Sequence, residues 1–254
     1  MAADTCEPRE VMRIAIVADI HGNFRALQAV LADIDEQNIE GIISLGDNIG
    51  YGPEPNEVID QLRARGVLSV MGNHELALFN PACYNRLNPI TQQSIDITRE
   101  LLSPANATWV KELPYVALRH EARFVHGCPP SSLTTYLFHP SPTRLSRIFY
   151  SYDERICFCG HTHGLSLFTR NKEGIIHTHS LRPGTTELSP NDRHLIIPGS
   201  VGQPRDSSDK NAKYCIWDIP ADFIMLRSIA YDVATTVRLI RERGLPVVNA
   251  SRLQ

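Results

Sequence analysis

The stretch RIAIVADIHGNFRALQAVLADIDEQNIEGIISLGDNIGYGPEP, residues 13–55, decides the fold. It opens on an apolar run, 13–18, that reads as a strand buried on both faces. Phe24, Leu27, Val30, Leu31 and Ile34 then recur at helical spacing, with Asn23 placed to cap the helix. Residues 41–45 read as a second strand, followed by the Gly/Pro-rich loop GDNIGYGPEP. Moving outward, a helix over about 56–65 leads to a third strand at 67–71. Strand, helix, strand, helix, strand at this spacing means βαβ units and a parallel sheet. Ligand-binding loops of such sheets gather at the carboxyl ends of the strands, and Asp19, Asp47 and Asn73 each fall just past one.

From residue 76 to 114 the chain changes character, with helical stretches at about 90–102 and 104–113 joined by Asn- and Pro-rich connections. This segment reads as an insertion over the site rather than as a separate domain. The remainder reads mostly as strands, at 122–126, 155–159, 165–169, 175–179, 195–198, 214–219 and 223–230, before a last helix near 233–243. The expected organisation is one domain over 11–246 with the helical insertion at about 76–114. Residues 1–10 and 247–254 are expected to be loose.

Composition narrows the function. The chain has 254 residues and a formal net charge of -3, so no global field attracts nucleic acid or an anionic membrane. The first eleven residues lack the basic and apolar regions of a signal peptide, and no apolar run reaches membrane-spanning length. A cytoplasmic location is expected. The six cysteines include no C-x-x-C pair and are expected to be free thiols. Cys128 and Cys159 lie two residues from His126 and His161, where small packing residues are the expected reading.

Five short motifs concentrate metal-ligand chemistry. They are D-x-H at Asp19 and His21, G-D at Asp47, G-N-H-E at Asn73, His74 and Glu75, a lone His126, and G-H-x-H at His161 and His163. Oxygen and imidazole donors suit first-row divalent metals, and the two oxygens of Asp47 are enough to bridge two ions. Any one motif alone carries little weight; five with donors at nearly every polar position indicate a two-metal hydrolytic centre. Tyr51 and Asn48, in the loop after β-strand 41–45, are candidate substrate or supporting residues. So is Arg205 in PGSVGQPRD, 198–206, where Gly199 and Gly202 allow a tight turn with backbone N–H groups facing an anion. His120, His139, His177, His179 and His194 are expected to be non-ligands, with His139 in TTYLFHPSP a candidate pocket residue.

In this order the motifs resemble the calcineurin-like metallophosphoesterase superfamily, over residues 13 to 230. GDNIGYGPEPNEVI and PGSVGQPRD look like a branch of small bacterial phosphodiesterases and nucleotide-type phosphatases; the one departure is Asn48, where an acid or glycine is common. The resemblance implies an α/β (α+β) four-layer αββα sandwich, two mixed β-sheets flanked by helices. It also implies two divalent ions per chain, drawn from manganese, iron, nickel, cobalt or zinc. Carried over, the first ion takes Asp19, His21, Asp47 and His163, and the second Asp47, Asn73, His126 and His161. His74 is expected to point away from the ligands toward substrate, stabilising charge or protonating the leaving group, with Glu75 supporting from behind. The implied activity is hydrolysis of a phosphate ester, a diester foremost, by direct attack of a metal-bound hydroxide. A phosphomonoesterase, a dinucleoside-polyphosphate hydrolase or a protein serine/threonine phosphatase would use the same centre. A non-catalytic scaffold on the same fold would lack the residue at His74, which is present. The expected partner is a small-molecule phosphate ester or nucleotide; nucleic acid and membrane are not expected, and a homo-oligomer is compatible with the sequence.

Overall fold

Strand β1 (Arg13–Val17) has Ile14, Ala15, Ile16 and Val17 all buried, because both of its faces are covered. Its alternation separates two cores: Ile14 and Ile16 point one way, Ala15 and Val17 the other. Helix α1 (Phe24–Asp35) starts where the Asn23 side chain accepts from the Ala26 N–H at 3.2 Å, and it buries Ala26, Leu27, Val30, Leu31 and Ile34. It carries the chain to β2 (Gly41–Ser44), and α2 (Pro55–Ala64) leads on to β3 (Leu68–Ser69). All three strands are parallel, as the βαβ reading requires. The computed structural model describes residues 12–205 and 209–254. The segment 1–10, expected to be loose, lies outside the described residues, as does Cys6.

Four helices follow: α3 (Asn73–Phe79), α4 (Pro81–Tyr84), α5 (Pro89–Leu101) and α6 (Pro104–Lys111). The last three each begin with proline behind a capping Asn80, Asn88 or Ser103, which is why their starts are sharp. Next come β4 (Val116–Arg119), β5 (Ala122–Val125), α7 (Pro142–Phe149), β6 (Ile156–Cys159), β7 (Leu165–Arg170) and β8 (Ile176–Ser180). The chain continues through β9 (Gly184–Glu187), β10 (Arg193–Pro198), β11 (Ala212–Asp218), β12 (Phe223–Ile229), α8 (Val233–Glu242) and α9 (Val247–Ser251).

The strands form two six-stranded mixed sheets, ordered β3-β2-β1-β11-β12-β9 and β4-β5-β6-β10-β7-β8. Ile14, Ile16, Ile43, Phe124, Phe158, Ile196 and Trp217 fill the space between them. Ala15, Val17, Tyr214 and Ile216 pack outward on α1 and α2, and Cys157, Leu195 and Ile197 pack outward on α7. The result is the expected αββα sandwich. The five described cysteines are free and buried. Among the described residues no helix is long and apolar enough to cross a membrane.

Two departures from the sequence reading stand out. The segment 247–254 is not loose: α9 forms there, and Asn249, Ala250 and Leu253 are buried against α8 and its neighbours. The run of small and apolar residues after Pro246 is short, so only packing on α8 makes it helical. Helix α7 and strands β4 and β9 were not anticipated, although Ser141 followed by Pro142 is a start signal. The insertion packs on the loops of the site: the Thr98 hydroxyl of α5 donates to the Gly50 carbonyl at 3.0 Å, and Thr91 pairs with the Tyr51 hydroxyl at 3.2 Å.

Candidate metal centre

Strands β1, β2 and β3 run parallel, so Asp19, Asp47 and Asn73 emerge at one edge of the first sheet. Strands β5 and β6 are parallel in the second sheet, and His126 and His161 follow their carboxyl ends. The loops continue the strand pairing beyond the sheet: Asp19 donates to Gly46 (3.1 Å), His21 to Asp47 (2.8 Å) and Gly160 to His126 (2.7 Å), backbone to backbone. The two edges meet where the His161 N–H donates to both oxygens of the Asp19 carboxylate at 3.1 Å.

All seven predicted ligands are buried and converge. Asp19, His21 and His163 form one group of donors, and Asp47, His126 and His161 another. In the first, His21 Nε2 lies 3.0 Å from His163 Nε2, which is 3.5 Å from Asp19 Oδ1. In the second, His126 Nε2 lies 3.1 Å from both His161 Nδ1 and Asn73 Oδ1. Asp47 Oδ2 stands between the groups, 3.8 Å from His21 Nε2 and 3.3 Å from His126 Nε2.

The outward ring nitrogens set the tautomers. His21 Nδ1–H donates to the Ile49 carbonyl (3.2 Å), His126 Nδ1–H to Leu45 (2.8 Å), His163 Nδ1–H to Gln203 (2.6 Å) and His161 Nε2–H to Thr134 (3.3 Å). Between His21 and His163 the inward nitrogens of two neutral rings are then lone pairs that face each other at 3.0 Å. Burial, then the charge of neighbouring His74 or His21, holds His21 and His163 well below the usual imidazole range, so no proton fills the gap between them at neutral pH. Burial and His126 likewise lower His161 to about 3. A cation between such lone pairs turns repulsion into ligation, and the mixed nitrogen and oxygen set fits a first-row divalent ion.

The carboxylates compete for charge. Burial would raise Asp47, but His126, His74 and His21 around it override burial and hold it well below the usual range. Burial and the Asp47 charge push Asp19 and Glu75 up to about 7. His126, which burial alone would lower, is raised to about 9 by Asp47, with Asp19 and Glu75 behind it. Bound cations would reverse much of this ordering.

Glu75, on the first turn of α3, holds the loop after β2 in place. Its carboxylate accepts from the backbone N–H groups of Asp47 (2.9 Å), Asn48 (2.6 Å) and Gly72 (2.8 Å). His74 does not turn away from the ligands as expected. The first turn of α3 directs its Nε2 to 3.8 Å from Asp47 Oδ2, its ring packs on His21 and Tyr51, and its Nδ1 has no partner.

Two substrate candidates are corrected. Asn48 is fully buried: its amide donates to Ser69 Oγ (3.0 Å) and accepts from Ser44 (2.6 Å), tying β2 to β3. Tyr51 has its hydroxyl paired with Thr91 at 3.2 Å and its ring against His21 and His74, so it supports the imidazoles. The loop at 198–205 offers no row of free N–H groups to an anion, since Val201 donates to Ala18, Gly202 to Asp19 and Gln203 to Ser200 Oγ. Gly202 is required for another reason: a Cβ there would sit 1.8 Å from the Ile20 carbonyl oxygen. Arg205 remains available, exposed and held by Gln203 Oε1 at 2.6 Å, and its charge lowers His21, His163 and His74; Asp206 lies outside the described residues. His139 lines a cavity beside the centre, while His177 and His179 are exposed on β8.

Sequence reasoning missed Tyr136 and Phe138, which are stacked on each other next to His161. Two aromatic residues flanking a leucine in an otherwise Thr/Pro-rich loop were the available signal. Burial, then Tyr51 and Asp47, push the Tyr136 hydroxyl up to about 12.

Residues 12–165 match the family model described as calcineurin-like phosphoesterase. An uncharacterized protein of Methanocaldococcus jannaschii is 34% identical over 245 residues, 94% of this chain and 96% of that protein. A metallophosphoesterase from Sphaerobacter thermophilus has a solved structure with TM-score 0.82 and 33% identity, covering 96% of this chain and 98% of that one. A hypothetical protein from Pyrococcus horikoshii OT3 shares the fold, with TM-score 0.76 and 18% identity over 95% and 97% of the two chains.

Proposed function

The chain belongs to the calcineurin-like phosphoesterase family, and from that premise we propose a phosphodiesterase that works with two divalent ions per chain. Asp19, His21, Asp47 and His163 would hold one ion, and Asp47, Asn73, His126 and His161 the other. The observation that carries this reading is the facing imidazole lone pairs of His21 and His163 at 3.0 Å, with Asp47 Oδ2 standing between that pair and the His126–His161 donors. Two divalent ions held there would supply an activated water and neutralise charge on the phosphoryl group.

The chain's own residues do the rest. His74, its Nε2 beside Asp47 and its pKa lowered by burial, would present a neutral imidazole to a phosphoryl oxygen at the centre. Arg205 would bind a non-bridging oxygen from the rim, and Glu75 keeps Asp47 aimed through its backbone. Preference for a diester is supported by the open cavity bounded by Thr162 and Gly164, which leaves room for a second ester substituent.

The test is hydrolysis of bis-p-nitrophenyl phosphate and p-nitrophenyl phosphate by metal-stripped protein, with manganese, nickel, cobalt, zinc or magnesium restored singly. Metal-dependent turnover of the diester ahead of the monoester is expected. His74→Ala should lose roughly 100-fold or more in rate with metal still bound, whereas Asp47→Asn should lose metal as well. A monoester preference would overturn the diesterase reading, and failure to bind metal would overturn the centre.

A further inference from the structure

The segment between β5 and α7 covers the outer side of His161. The Thr134 carbonyl accepts from His161 Nε2 at 3.3 Å, and the Tyr136 ring lies on the imidazole with centroids 3.7 Å apart and planes 20° apart. Phe138 stacks on Tyr136 at 4.9 Å and 11°. Three rings thus form a column that begins at a metal-ligand candidate and ends at Phe138, which is 52% exposed. Exposed, stacked aromatics are costly to leave in water unless something docks on them.

Phe138 lines a cavity of about 900 Å³, within the size range of small-molecule sites. Phe168 and Ile197 give the cavity an apolar side, and Ser166, Thr178 and Ser180 supply neutral hydroxyls that can donate or accept. Thr162 and Gly164 bound it as well. Those residues interleave with and follow His161 and His163, so the cavity and the metal centre share a wall. Arg205 lines the cavity too, and its backbone N–H donates to the His163 carbonyl at 3.4 Å.

A flat aromatic face, apolar depth and neutral hydroxyls suit a heteroaromatic base on a sugar. A phosphate alone would leave this surface unused, and an alkyl chain would leave the hydroxyls unpaired. Resting on the phosphoesterase reading, we propose that this cavity is the ester-group subsite of the centre and that it takes a nucleoside. The base stacks on Phe138, the sugar lies toward Ser166 and Thr178, and the phosphate is directed past Thr162 to the metal ligands. The substrate class is therefore a nucleotide ester.

Calorimetric titration of manganese-loaded protein with non-hydrolysable phosphonate analogues of AMP and of ribose 5-phosphate isolates the contribution of the base. Stacking on an aromatic side chain is worth roughly ten-fold or more in affinity, so the adenosine analogue should bind tighter by about that factor. Phe138→Ala should bring the ratio near one, and Phe138→Trp should keep it, with thermal melts verifying that each variant folds. Equal affinity of the two analogues in the unsubstituted protein, or a ratio unmoved by Phe138→Ala, would overturn the proposal. Turnover of bis-p-nitrophenyl phosphate in the same preparation separates the two failures. Base-dependent binding without turnover sinks the phosphoesterase reading alone; turnover without base dependence sinks the nucleoside subsite alone.

Discussion

Asp19, His21, Asp47, His161 and His163 share a backbone property that their side-chain chemistry does not explain: all five have positive φ, between 52° and 68°. Non-glycine residues rarely adopt that conformation, and each instance costs on the order of 1 kcal/mol. Here it turns successive side chains out of the strand direction and back toward a single point. Gly50 is the complementary case, with φ at 125° and an open α-carbon face. A Cβ there would fall 2.1 Å from His74 Nδ1, so the glycine is what lets the imidazole lie over the loop. Gly50→Ala should displace His74 without touching a metal ligand. The expected result is a fall of roughly 100-fold in turnover of bis-p-nitrophenyl phosphate, similar to loss of a general acid–base group, with metal content near that of the unsubstituted protein. Unchanged turnover would show that the position of His74 does not matter to the reaction.

Helix α9 shows how a short element can support a distant site. The Asn249 amide donates to the Tyr51 carbonyl (3.1 Å) and to Ser94 Oγ (3.0 Å), and Leu253 and Ala250 pack on Val237 and Ile240 of α8. Tyr51 in turn touches His21 and His74. Deleting residues 247–254 removes a buried hydrogen-bonding group and buried apolar side chains, roughly 3–6 kcal/mol together. At about 2–4 °C per kcal/mol for a chain of this size, the melting midpoint should fall by roughly 10 °C or more. A loose segment would leave it unmoved, and differential scanning calorimetry decides between them. The sequence concealed α9 because five residues carry too little periodicity to announce a helix whose stability comes from packing. The opposite holds for β1, α1 and β2, where a continuous apolar run and a 3.6-residue repeat state their partners locally. The convergence of the seven candidate ligands was legible for a related reason: each is a donor residue just beyond a strand, and parallel pairing brings such positions together. Tyr136 and Phe138 were not, since their role depends on where a loop crosses His161, a tertiary fact. Asn48 and Tyr51 sat in the right loop but face inward, and side-chain direction in an irregular loop has no sequence period.

The centre lies on the seam of the sandwich, and that makes metal binding a property of the whole fold. Asp19, His21, Asp47 and Asn73 come from the first sheet's edge; His126, His161 and His163 come from the second's. Ions held by both sets would join the two sheets, and because such a site does not preexist in the unfolded chain, binding would stabilise the fold. A free metal concentration of 100 to 1,000 times Kd adds about 3–4 kcal/mol per site, or roughly 10 °C in the melting midpoint. The pH dependence follows from Asp19, raised to about 7, and His126, raised to about 9. Both folded values lie above the unfolded ones, so protonation supports the metal-free fold, and that support is lost as pH rises through about 7 and about 9. Metal binding runs the other way, because each ion must displace the protons. Between pH 9 and 7 one proton leaves with binding, and below 7 at least two. Affinity should therefore fall about ten-fold per pH unit at first, then about a hundred-fold per unit. Melts in chelator-buffered manganese at pH 6, 7 and 8 should show the metal-induced increment shrinking toward acid, most steeply below 7. An increment that is constant across that range would mean that Asp19 and His126 do not exchange protons for metal.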